Sequence, residues 1–123
     1  MWLRQKTIGF SLNICCGRSR IGNVRADIMR SMNPDVICSV KKPPFRKGSF
    51  ETVICDPPFS LYNKFKWVHN LALLCKKRVI LSHPLFNINL KKGFRRQLYA
   101  TDIGGFFLRL WSIHDKTELA NYA

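Results

Sequence analysis

The chain has 123 residues, enough for one domain spanning 1–123 and too few for two. Hydrophobic residues make up 46% of it, which permits a buried core and excludes global disorder, and no apolar run approaches the roughly 20 residues of a membrane helix. Twenty-one Lys and Arg against seven Asp and Glu give a formal charge of +14, which implies a polyanionic partner, nucleic acid ahead of an anionic membrane.

The N-terminal residues carry no apolar stretch of signal-peptide length. Cys15, Cys16, Cys38, Cys55 and Cys75 are odd in number and show no C-x-x-C pair or Cys/His cluster, so no metal site is expected. Thiols inside apolar stretches act as small hydrophobes and suit a reducing compartment. A soluble, cytoplasmic protein is expected.

Residues 7–16 read as a buried strand ending at Gly17, and residues 23–28 as a second with Asp27 near its C-terminal end. Residues 35–40 form a third short run. Two prolines and a glycine make residues 41–48 a loop. Residues 50–55 are a strand, stopped by Asp56-Pro57-Pro58. From 60 to 76, Leu61, Phe65, Val68, Leu71, Ala72 and Cys75 recur at helical spacing. Residues 78–81 read as a fifth strand, ended at Ser82-His83-Pro84. A mixed stretch, 85–96, has a basic end at Lys91, Lys92, Arg95 and Arg96. Residues 97–103, Gly104-Gly105 and 106–114 read as an antiparallel hairpin, the glycine pair supplying positive φ.

This order predicts an α/β sheet, mostly parallel, closed by an antiparallel hairpin, with reduced helices. One segment fits poorly. Only residues 18–22 separate the first two strands, whereas a parallel crossover usually needs a dozen or more. Either the crossover helix shrinks to about one turn, or the first strand ends earlier than its apolar pattern.

In open α/β sheets, ligands sit beyond the carboxyl ends of the strands. Residues 13–17, Asp27 and residues 56–59 fall at such ends. Three stretches there carry a resemblance: Leu12-Asn13-Ile14-Cys15-Cys16-Gly17, Gly22-Asn23-Val24-Arg25-Ala26-Asp27-Ile28, and Pro44-Phe45 through to Asp56-Pro57-Pro58-Phe59. They resemble class I methyltransferases that use S-adenosylmethionine (SAM), whose sheet is Rossmann-like. The last block is similar to the (Asp/Asn/Ser)-Pro-Pro-aromatic motif of enzymes that methylate exocyclic or amide nitrogens. The resemblance covers roughly residues 7–83, and the final hairpin is consistent with it.

The resemblance implies a role for each position. SAM would be held by Asn13, Cys15, Gly17, Asp27, Ile28, Ser39 and Asp56, with Asp27 accepting hydrogen bonds from the ribose hydroxyls. Asp56 and the Pro57 carbonyl would accept the two protons of the target amine, directing its lone pair at the methyl group. Pro58 would stiffen the loop, and Phe59 would stack on the target base. The chain departs from the pattern where Asn13 replaces the usual acid, Cys15 the first glycine and Ser39 the acid after the third strand.

The expected activity is methyl transfer from SAM to the amino group of adenine in DNA or RNA, with the base flipped out or single-stranded. Lys41, Lys42, Lys64, Lys66, Lys91, Lys92, Arg95 and Arg96 are candidates for phosphate contact. No segment reads as a separate target-recognition element, so a homodimer or a specificity partner is expected to supply selectivity. Two other readings stay open. One is a non-catalytic nucleic-acid-binding protein on a degenerate methyltransferase fold. The other moves the methyl group to a cytosine amino group or a protein side-chain nitrogen. Taken singly, Asp-Pro-Pro is an ordinary turn, Phe45 and Phe59 are core residues, His83 and His114 are strand-end polar groups, and His69 lies on a helix surface.

Overall fold

A computed structural model describes residues 2–58, 67–83, 90, 93–103 and 107–117, with backbone alone at 102–103 and 107–108. Seven strands form one sheet in the order β3-β2-β1-β4-β5-β7-β6. They are β1 (Ser11–Ile14), β2 (Val24–Asp27), β3 (Val36–Ile37), β4 (Phe50–Cys55), β5 (Cys75–His83), β6 (Phe94–Ile103) and β7 (Phe107–Lys116). The first five pair in parallel, whereas β7 lies antiparallel between β5 and β6. The expected mixed α/β sheet with a closing hairpin is therefore present, and the antiparallel strand is inserted one place in from the edge. Among the described residues, two α-helices accompany it: α1 (Trp2–Lys6), which no sequence pattern announced, and α2 (Val68–Leu74).

Alternation along the strands explains the layers. Leu12 and Ile14 of β1, Val53 and Cys55 of β4, and Val79 and Leu81 of β5 share one face. They pack there with Val68, Leu71 and Leu74 of α2. The intervening residues Ile54, Ile80, Trp111 and Ile113 point to the other face with Ile21, where Trp2 and Leu3 of α1 cover them. The Trp2 ring lies 5.3 Å from that of Tyr99 and 5.9 Å from that of Trp111. Arg78 pins this arrangement at the sheet's lower end. It pairs across the ladder with Asp115 (Nε to Oδ1 2.6 Å, Nη2 to Oδ2 3.1 Å) and donates to the Lys6 carbonyl at 2.8 Å.

Several boundaries differ from expectation. The first strand occupies Ser11–Ile14 because Gly9 (φ 64°) precedes it and Cys15 (φ 59°) ends it, both in left-handed backbone. The early ending resolves the short crossover, since residues 15–23 connect β1 to β2 with no helix at all. The second and third strands are likewise shorter than their apolar runs. Cys75, expected as the last turn of a helix, instead opens β5 with φ −92° and ψ 149°. Arg95 and Arg96, expected in an irregular basic stretch, lie inside β6. Residues 59–66, 84–89, 91–92 and the Gly104-Gly105 turn fall outside the described residues, as do Phe59, Lys64, Lys66, Lys91 and Lys92.

The helix-free crossover is held by polar groups. The buried Arg25 guanidinium donates to four carbonyls: Nε to Ser19 at 2.6 Å, Nη1 to Asn33 at 2.9 Å, and Nη2 to Gly17 at 3.1 Å and Met32 at 3.3 Å. Such carbonyls need partners wherever water is excluded, and a helix would have satisfied them internally. Asn13 adds bonds from Nδ2 to the Ile21 carbonyl at 3.0 Å and the Ser19 hydroxyl at 3.3 Å. Among the described residues, no helix is long and apolar enough to cross a membrane.

Candidate active site

The carboxyl ends of β1, β2, β3 and β4 converge where the strand order switches between β1 and β4, the position that α/β sheets use for ligands. A cavity of about 570 Å³ opens there, within the size range of small-molecule sites. Its walls bring together Cys15, Gly17, Asp27, Ile28, Ser39, Lys41, Asp56, Pro57 and Pro58 from the sequence-derived candidates. Met29, Met32, Cys38, Val40 and Arg109 complete them.

Each candidate is placed by local structure. Gly17 has φ 53°, and a Cβ built there would meet no atom within 4 Å. Glycine is required by the backbone conformation, and the space above it is open to a ligand. Cys15 adopts φ 59° although it carries a side chain, a conformation that costs roughly 1–2 kcal/mol in an L-residue. Asp27, at 9% exposure, is held by the loop it faces. Its Oδ2 accepts from the Gly17 N–H at 2.8 Å and its Oδ1 from the Met29 N–H at 2.9 Å. A carboxylate offers about four acceptor sites, so both oxygens retain capacity for hydroxyl donors. Asn13 is not among the lining residues; its side chain is buried and committed to Ser19 and Ile21.

At the other end, Asp56 follows β4, whose last residues Ile54 and Cys55 lie buried between β1 and β5. Burial pushes its pKa above the usual carboxylate range, while the Arg109 guanidinium and the Ser82 hydroxyl pull it back down. Arg109 Nη1 pairs with Asp56 Oδ2, and its guanidinium lies 5.9 Å from the Trp111 ring centroid. Sequence reading missed Arg109, because it stands in the final hairpin, 53 positions from its partner. Its only signal was a basic residue within the apolar run 106–114 expected to form the hairpin's second strand.

The remaining candidates sit elsewhere. Lys42 is exposed on the loop after β3, next to Lys41. Arg95 and Arg96 lie on β6, and Arg95 Nη2 stands 3.8 Å from Asp115 Oδ2. His114, expected near a strand end, lies inside β7 with its Nε2 2.7 Å from the Ser112 hydroxyl. Burial lowers its pKa to about 4, reinforced by Arg96 and His83 and opposed by Asp115, so the ring is neutral at pH 7. Among the described residues, no three His, Cys, Asp or Glu side chains group as metal ligands would. All five cysteines are free thiols. Burial pushes the Cys55 and Cys38 thiols up, further raised by neighbouring Cys15.

Sheet order, inserted antiparallel strand and carboxyl-end cavity together define an open, mostly parallel α/β fold with a ligand-sized site at its switch point. No family model and no curated protein matches the chain. Among solved structures, the candidate methyltransferase yhhF of Escherichia coli matches with a TM-score of 0.56 at 11% identity, over 95% of this chain and 81% of its own. The candidate methylase HI0767 of Haemophilus influenzae gives 0.53 at 11% identity, over 95% and 85%. At that identity the likeness is one of fold.

Proposed function

We propose that the chain is a class I, SAM-dependent amino-methyltransferase acting on nucleic acid, with the exocyclic amine of adenine in DNA or RNA as its target. One observation carries the reading. A single cavity places Asp27 and the Gly17 loop at one end and Asp56-Pro57-Pro58 at the other. The cavity fits the donor: Ile28, Met29, Met32 and Val40 offer an apolar shelf for a purine, Asp27 offers acceptors for a ribose, and open space lies over Gly17. SAM, when bound, supplies an electrophilic methyl group on a sulfonium.

The chain's own residues do the rest. Asp56 and the Pro57 carbonyl accept the amine's two protons, and proline cannot compete with an N–H of its own. An aromatic amine is a weak nucleophile, so fixing its geometry is the main contribution, with the methylated, cationic nitrogen then losing one proton to water. Burial raises the Asp56 pKa, and Arg109 opposes that rise while still leaving acceptor sites for the amine. The charge of +14 supports a polyanionic substrate, and the adenine assignment rests on the Asp-Pro-Pro-Phe resemblance.

Incubation with labelled SAM and bulk DNA or RNA, followed by nucleoside mass spectrometry, tests the reading. A methylated amino base is expected. Asp56→Ala should lower the rate about 10³-fold, a loss far larger than any it causes in SAM affinity. Absence of transfer to any nucleic acid, together with absence of SAM binding in calorimetry, would refute it. The pH profile gives a second check. Asp56 works ionised, so kcat/KM should fall as pH drops through its raised pKa, above the ordinary carboxylate range. Arg109→Met removes a charge that lowers that pKa and should move the acid limb to still higher pH.

A second reading, binding without transfer, draws on the structural use of Asn13 and on the pairing of Asp56 with Arg109. It predicts salt-sensitive nucleic-acid binding unaffected by Asp56→Ala and no methylated product.

A further inference from the structure

Beside the first cavity lies a second, of about 270 Å³, lined by the loop after β3 and by α2. Lys41 lines both. Lys42 and Lys47 also border it, near either end of loop 41–48, and none of these three ammonium groups makes an ion pair among the described residues. The floor is apolar: Leu73 of α2 is 42% exposed there, and Phe45 stands edge-on against Phe50 with ring centroids 5.2 Å apart.

This basin is held in shape at both ends. Asn70 of α2 donates from Nδ2 to the Lys41 carbonyl at 3.0 Å and the Val40 carbonyl at 3.4 Å. The Gly48 N–H donates to the Leu73 carbonyl at 2.9 Å. The loop is thus stapled to the helix by hydrogen bonds, which is unnecessary if its lysines merely confer solubility. Cations around an apolar floor match a nucleotide, whose base is flat and poorly solvated and whose phosphates are anionic. An acidic peptide would use the lysines and leave Leu73 idle.

We propose that this basin is a subsite for the unpaired nucleotide adjoining the target, with Lys42 and Lys47 on its flanking phosphates and its base against Leu73 and Phe45. The proposal rests on the reading of the substrate as nucleic acid. Lys41, shared by both walls, stands where the strand passes from one cavity to the next. A duplex cannot use the floor, because its bases are stacked and paired.

The test measures binding of a fluorescent single-stranded oligonucleotide across a salt series. Lys42→Ala/Lys47→Ala should reduce the slope of log K against log salt by about 1.4, at about 0.7 for each of two phosphates. Arg4→Ala/Lys77→Ala removes the same charge from exposed positions lining neither cavity and should reduce it by less than half as much. Leu73→Ser should weaken single-strand binding about fivefold with the slope unchanged, and leave duplex and polyglutamate binding unaffected. An unchanged slope in the first variant, equal losses in the first and second, or no Leu73 effect would each overturn the basin. SAM affinity by calorimetry is a separate arm. Loss of SAM binding together with the expected slope reduction sinks methyl transfer and leaves the basin standing; normal SAM binding with an unaltered slope sinks the basin alone.

Discussion

Two parallel crossovers flank the site, and they solve one topological task with different physics. The link from β4 to β5 carries α2, which buries Val68, Leu71 and Leu74 against the sheet. The link from β1 to β2, residues 15–23, has no helix, and one buried guanidinium ties its Gly17 and Ser19 carbonyls to the Met32 and Asn33 carbonyls of the next link. Apolar packing spreads stabilisation over many contacts, whereas the polar link concentrates it in Arg25 and Asn13. The polar solution keeps backbone close to the cavity, where the Gly17 N–H is held by Asp27. The apolar one leaves Asp56-Pro57-Pro58 free to serve as the loop that opens it.

The contrast can be broken most forcefully at Arg25. Arg25→Met would strand four carbonyls and should cost about 4 kcal/mol in denaturant unfolding, with SAM affinity falling at least about tenfold. A cost under about 1 kcal/mol would show that the loop is held by other means. Leu71→Ala on α2 should cost about 3 kcal/mol, from lost transfer energy and the cavity left behind. Its signature differs, since SAM affinity measured under folding conditions should stay within about twofold. The smallest effect is expected at Cys15, where glycine would relieve the left-handed backbone at the expense of a packed thiol. Cys15→Gly should raise stability by about 0.5 kcal/mol in thermal melts, and a loss instead would assign more weight to that packing.

The sequence shows the same division. Residues 50–55 were legible to the residue as β4, because a short apolar run goes straight into Asp56-Pro57-Pro58, which no strand continues. Cys75 was misplaced because an apolar stripe cannot register where a helix hands over directly to a strand. The end of β1 was hidden by Cys15 and Cys16, which read as strand interior, while the backbone turns at Cys15 against its intrinsic preference. Arg25 looked like one basic residue among many, since nothing in a linear pattern separates a buried guanidinium from a solvated one. Arg109 meets Asp56 only through the β7 insertion, a long-range pairing that local periodicity does not encode. Of the residues expected around SAM, those fixed by strand ends, Asp27 and Asp56, reached the cavity. Asn13, one residue before a strand's last, turned its side chain into the crossover instead.

The strand β6 ends the sheet opposite β3, ten residues long and paired on one side with β7. An edge of that length is a template for pairing with another copy, and Leu98 on it is 60% exposed. Exposed Arg95 on the same strand, within a chain of +14 charge, makes such pairing repulsive. The cations proposed to draw a polyanion would therefore also keep like molecules apart. That protection weakens with salt, whose screening length is about 10 Å at 0.1 M, and is cancelled when a polyanion neutralises the surface. Colloidal behaviour and the proposed attraction of a nucleic-acid substrate would thus depend on one shared reservoir of charge.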